Sequence, residues 1–118
     1  MSNDIVIYHN PRCSKSRETL ALLQQQGVTP RVVLYLDTPP DAAKIRQLLS
    51  QLGFSSAREL MRQKEDLYRE LKLSDPTLSE TQLIAALVEH PKLIERPIVV
   101  NGERARIGRP PEQVLALL

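Results

Sequence analysis

Two rhythms of apolar positions run along this chain, and each predicts a different kind of element. "IVIY", residues 5–8, is a short β-branched and aromatic run between polar flanks, which predicts a buried strand. "RVVLYL", residues 31–36, predicts a second buried strand, and "PIVV", residues 97–100, a third. Between the first two, Leu20, Leu22 and Leu23 stand among good helix formers. They predict a helix that starts at Ser14 or Ser16 and ends at Gly27 as its C-cap glycine. Asp41 is placed to cap a helix through about Leu52, stopped by Gly53. Ser56 with Glu59 and Ser79 with Gln82 both match the capping box, each followed by helical apolar spacing. After the second, Leu83, Ile84, Leu87 and Val88 form one apolar face, and "SDPTLSE" is the loop between these helices. Asn101-Gly102 is a strong hairpin signal that turns the third strand into "RARI", and "PPEQVLALL" predicts a final helix with proline in its first turn.

The order is strand–helix–strand, a helical middle, then strand–hairpin–strand–helix. That βαβ…ββα skeleton predicts an α/β, thioredoxin-like fold with a helical insertion between its halves. The expected organisation is a single domain over residues 1–118, with the inserted helices at about 41–90. A chain of 118 residues is long enough for one real core and short for two. Net charge is only +2, so composition does not make the chain a general nucleic-acid binder, and any basic character that matters must be local. No apolar run approaches the roughly 18 residues that span a membrane, and the first apolar run is too short for a signal peptide. The expectation is a cytoplasmic protein, and a monomer, since no long apolar stripe remains once the core is built.

Chemistry concentrates in "YHNPRCSKSR", residues 8–17. It holds the only cysteine of the chain, Cys13, together with His9, Arg12, Lys15 and Arg17 and no acid. Cys13 falls at a strand-to-helix junction, where unpaired N–H groups and the positive end of the helix dipole favour a thiolate. The same groups favour an incoming oxyanion. Ser14 and Ser16 offer further hydrogen bonds to either. An ordinary buried cysteine is the bland alternative, but proline, arginine, serine and lysine are not core neighbours. Spacing excludes several mechanisms. Ser16 stands where a Cys-x-x-Cys dithiol needs its second sulfur, and Thr19 stands where a Cys-x5-Arg phosphatase loop needs arginine. One cysteine and two histidines, His9 and His90, are too few for a zinc site, and no Walker or dinucleotide glycine loop is present. A lone cysteine that does redox chemistry must receive its second sulfur from another molecule.

"IYHNPRCSKSRETL", "LMRQK", "ERPIVVNG" and "GRPPEQVL", collinear over residues 5–118, resemble the glutaredoxin-linked arsenate reductase (ArsC) family, in particular its short bacterial members. The resemblance implies an oxidoreductase in which Cys13 is the nucleophile toward arsenate, with His9 and Ser16 as its catalytic companions. It implies Arg62, Arg96 and Arg109 as the arginines around the oxyanion, and a cis-proline at Pro97 facing the cysteine. Glutathione and glutaredoxin are the implied external reductants, with no bound cofactor and no metal. Two features depart from the family pattern: the chain stops after its last helix where members often carry a longer tail, and the loop is more basic than in some relatives. Two rival readings share the scaffold. One is a thiol-dependent reductase of another small substrate. The other is a non-catalytic Spx-like regulator that binds RNA polymerase, a reading that Ser16 in place of a second cysteine weakens.

Overall fold

Residues 5–118 are described in a computed structural model, and they form two compact units, residues 5–38 with 96–118 and residues 39–95. The first unit is built on a four-stranded sheet of order β2-β1-β3-β4. Strand β1 (Ile5–Tyr8) pairs in parallel with β2 (Arg31–Val33) and antiparallel with β3 (Ile98–Asn101), which turns into β4 (Arg104–Ile107). The parallel pair needs a crossover, which is α1 (Ser14–Gln25). Ile5 and Ile7 of β1 and Val99 of β3 pack with Leu23 of α1 and with Val114 and Leu117 of the C-terminal segment. The apolar pattern of β1 thus becomes one wall of the core. Gly27 adopts φ +78° just beyond α1, the left-handed closure its position predicted.

The strand predicted over residues 31–36 is shorter and more exposed than its sequence suggests. β2 ends at Val33, and Val32, Leu34 and Leu36 are each 40% or more exposed, while only Tyr35 is buried. Position in the sheet is the reason. β2 is an edge strand with one neighbour, and its last pairing bond is the His9 N–H donating to the Val33 carbonyl at 2.9 Å. Beyond His9 the partner chain turns away through Pro11, so Leu34 closes a turn with Asp37 and Thr38 instead. The third strand is shifted one residue from its predicted start, since Pro97 has no N–H to pair. The C-terminal helix forms as a 3-10 segment, Pro111–Leu117, rather than an α-helix. The Arg96–Pro97 bond is cis, as the resemblance implies, and so is Arg109–Pro110.

In the second unit, Asp41 caps α2 (Ala42–Leu52) by accepting the Lys44 N–H at 2.8 Å, and Gly53 ends it at φ +74°. Both capping boxes are present. The first opens only one 3-10 turn, Ala57–Leu60, whereas a longer helix was expected there. A short helix, α3 (Asp66–Glu70), follows. The second box starts α4 (Glu80–Glu89), whose Leu83, Ile84 and Leu87 are buried as its spacing predicts, with Val88 half-buried, and α4 packs on α2. Glu80 also joins the two boxes: its carboxylate accepts the Ala57 N–H at 2.7 Å and the Ser56 hydroxyl at 2.9 Å. Among the described residues no helix is long and apolar enough to cross a membrane.

Candidate active site

The loop between β1 and α1 is shaped by its own polar atoms. The Asn10 carbonyl accepts the Cys13 N–H at 3.0 Å, and the Asn10 side-chain oxygen accepts the Arg12 N–H at 3.0 Å. Asn10 therefore closes the Pro11-Arg12 turn from both sides. Sequence reading did not single it out, although an Asn-Pro pair after a strand is a recognised turn signal. Cys13 has extended dihedrals (φ −98°, ψ +124°) and its carbonyl accepts the Arg17 N–H at 3.0 Å, which makes it the N-cap residue of α1. Cys13 is 9% exposed, largely but not wholly enclosed.

Opposing influences act on the sulfur. Burial is the largest single one and raises the thiol pKa. It is outweighed by the Ser16 N–H, by the charge and hydrogen bonding of Arg96 and by the Lys15 N–H, so that the pKa lies below the ordinary 9.0. The Lys15 and Ser16 N–H groups form no side-chain capping bond of ordinary geometry, so they act on the sulfur as dipoles. A second arginine also reaches the sulfur: Arg109 places Nη2 3.6 Å from Sγ while its Nε donates to the Arg96 carbonyl at 2.8 Å. Both guanidinium groups act on the thiolate, Arg109 by this contact and Arg96 by its charge and hydrogen bonding. Arg96 Nε is buried and has no hydrogen-bond partner, an unsatisfied donor of the kind that oxyanions fill.

His9 and Ser16 meet beneath this loop. His9 Nδ1 lies 2.6 Å from Ser16 Oγ, and the same oxygen accepts the Asn10 N–H at 3.0 Å. His9 is 7% exposed and Ser16 fully buried. Burial first, and the charge of Arg17 second, lower the His9 pKa below 6.5, so the imidazole is neutral near physiological pH. Ser16 thus acts on the cysteine through its backbone N–H dipole, while its hydroxyl is engaged with His9 and Asn10. Of the loop cations, Arg17 donates to the Pro11 carbonyl at 2.9 Å and Lys15 pairs with Glu18 at 3.5 Å.

The sheet unit therefore brings together Cys13, His9, Ser16, Arg96 and Arg109. The remaining expected residue, Arg62, belongs to the helical unit. There its guanidinium lies 2.6 Å from Glu65 and 3.9 Å from Glu95, and its backbone N–H donates to the Leu93 carbonyl at 2.7 Å.

Comparison with known proteins gives this arrangement a lineage. The ArsC family model matches residues 8–117. A protein of Escherichia coli described as uncharacterized protein YfgD is 67% identical over 118 residues, covering 100% of this chain and 99% of that one. An arsenate reductase of Neisseria meningitidis is 50% identical over 115 residues and 98% of each chain. The solved structure of an arsenate reductase from Vibrio cholerae superimposes with a TM-score of 0.97 at 58% identity, over the full length of both chains. A thioredoxin-like sheet, a single N-cap thiol flanked by two proline-bound arginines, and a match over nearly the whole chain lead to one assignment: the chain belongs to the ArsC family.

Proposed function

We propose that this protein is an arsenate reductase that works with one cysteine of its own and draws its remaining thiols from glutathione and glutaredoxin. The observation that carries the reading is the meeting of a lowered-pKa thiol with Arg109 in contact and Arg96 beside it. Arsenate is a dianion near neutral pH, and planar guanidinium forks match its oxygens through paired, charge-assisted bonds. The Cys13 thiolate attacks arsenic(V), an As–S bond replaces an As–O bond, and that oxygen leaves as water after protonation. Arg96 and Arg109 offset the negative charge that gathers as the bond forms. Glutathione thiolate then attacks the Cys13 sulfur, the As–S electron pair stays on arsenic, and arsenite is released. Cys13 is left in a mixed disulfide with glutathione, which glutaredoxin reduces. Arg62, which the resemblance implies for the oxyanion, is included in this proposal as a third arginine.

The experiment is arsenate-dependent NADPH consumption by the purified protein with glutathione, glutathione reductase and glutaredoxin. Turnover that disappears in Cys13→Ser supports the reading. Wild-type protein that consumes no NADPH on arsenate addition ends it. Arg62→Ala tests the third arginine in the same assay, with a raised arsenate KM expected.

A further inference from the structure

Gly108 is buried, and its φ lies outside the left-handed region, so backbone freedom does not explain a glycine there. Space does. A Cβ at this position would lie 2.4 Å from Thr19 Oγ1, 2.9 Å from Pro97 Cγ and 3.0 Å from Thr19 Cγ2. The other three glycines show the opposite character, positive φ and nothing within 4 Å of an added Cβ. Thr19 is fully buried on α1, and its hydroxyl donates to the Lys15 carbonyl at 2.7 Å, one turn back toward Cys13. Its one proton is used there, so the Gly108 carbonyl at 3.5 Å meets Oγ1 by packing. On its other side, the Gly108 N–H donates to the Pro97 carbonyl at 2.9 Å. The next residue is Arg109, whose side chain is exposed and held by only two described bonds, one to the Arg96 carbonyl and one to Sγ. Surrounding packing does not fix this guanidinium. Its backbone seat does, and that seat rests on the helix that carries Cys13.

We propose that Gly108 and Thr19 are positioning residues: the bare Gly108 seated against Thr19 and Pro97 sets the distance between the Arg109 guanidinium and the Cys13 sulfur. Neither residue touches the sulfur; both act through Arg109. With a methyl group at 108 something must shift by about 1.0 Å, the gap between 2.4 Å and the 3.4 Å where ordinary contact begins. Thr19 is fully buried and bonded to the Lys15 carbonyl, so in the proposal that shift falls on the 108 backbone. A shift of that size away from α1, passed on to the adjacent Arg109, lengthens its 3.6 Å contact with the sulfur and weakens it. The inference rests on Cys13 being the nucleophile, but its test reads the thiol alone and needs no arsenate, so the two ideas can fail separately.

The experiment is the pH dependence of iodoacetamide alkylation, with circular dichroism as the check of folding. Gly108→Ala is expected to move the thiol titration upward and slow alkylation about three- to tenfold at a fixed pH below the midpoint. In an Arg109→Ala background the same change is expected to do nothing further. Adding Thr19→Ala to Gly108→Ala removes two of the three close contacts and is expected to restore most of the reactivity. Gly102→Ala, strained at φ +64° but remote in its contacts, is expected to lower stability and leave the titration unchanged. Should Gly108→Ala not fold, Thr19→Ala alone opens a gap under the same seat and should give a smaller upward shift that vanishes with Arg109→Ala. An unchanged titration in a folded Gly108→Ala protein overturns the proposal. So does a shift that persists without Arg109, or an unshifted Thr19→Ala protein where Gly108→Ala has not folded.

Discussion

Replacing Ser16 by alanine separates two properties that the active loop combines. Ser16 Oγ is the shared partner of two buried groups, the His9 Nδ1 at 2.6 Å and the Asn10 N–H at 3.0 Å. Alanine leaves both without a partner in a place where the serine itself is fully buried. A buried polar group stripped of its bond costs about 1–3 kcal/mol, so two of them set a ceiling of roughly 2–6 kcal/mol. The site lies directly under a surface loop, and a small movement of His9 recovers part of that loss. We expect about 2–3 kcal/mol, which for a chain of this size is a fall in Tm on the order of 10 °C. The thiol should behave differently. Its pKa is lowered by the Ser16 backbone N–H and by Arg96, neither of which the substitution removes.

Urea unfolding and iodoacetamide titration of the same variant decide the matter. A large drop in the denaturation midpoint at unchanged slope, with a thiol titration close to wild type, is the expected pair of results. Stability within about 0.5 kcal/mol of wild type would refute the claim that the hydroxyl bridges two otherwise orphaned groups. A strong rise in the thiol pKa with stability intact would refute it from the other side, because the hydroxyl would then be serving the sulfur.

Four further outcomes follow. Arg109→Ala and Arg96→Ala should each raise the thiol titration, with Arg109→Lys retaining part of the effect, since lysine keeps the charge and loses the fork; alkylation rates against pH read this directly. Stability should fall as pH drops from 6.5 through the lowered His9 pKa, because the unfolded chain binds the proton that the folded imidazole resists; urea unfolding at a series of pH values checks the sign. The Cys13 thiol gives its own rise in stability with pH between its lowered folded value and 9.0, and Cys13→Ala should flatten that segment. Asp41→Ala removes an exposed cap far in sequence from the thiol. It should cost about 1 kcal/mol in urea unfolding and leave alkylation unchanged.

What could be read from the residues, and what could not, divides along the range of the forces involved. The cap of Asp41, both capping boxes, the closures at Gly27 and Gly53 and the Asn101-Gly102 hairpin all formed where the sequence placed them, because each depends on atoms within four residues. Cys13 at the N-terminus of α1 was legible for the same reason. The second strand was misjudged because burial is set by neighbours in the sheet. "RVVLYL" has the composition of a central strand, but its partner departs at Pro11 and leaves Val32, Leu34 and Leu36 exposed. The contacts of Ser16 were not legible: its hydroxyl, expected to serve the thiolate or the anion, is turned to His9 and Asn10.

The arginines mark the outer limit of sequence reasoning. Arg96 and Arg109 each precede a proline, which hints at a shaped turn but says nothing of the sulfur 83 or 96 residues away that both turns address. Nothing local distinguishes Arg62 from Arg58 or Arg69, and their bonds explain why: each guanidinium is tied within its own unit, Arg58 to the Leu73 carbonyl, Arg69 to Asp66, Arg62 to Glu65. Gly108 shows the same limit in another form. A glycine is read in a sequence as a turn or a cap, functions of its own φ, whereas this one is required by a threonine 89 residues earlier. A thiolate can be prepared by a few neighbouring residues, but the guanidinium that steadies it must be delivered by the sheet, and only the close approach of two chain segments delivers it.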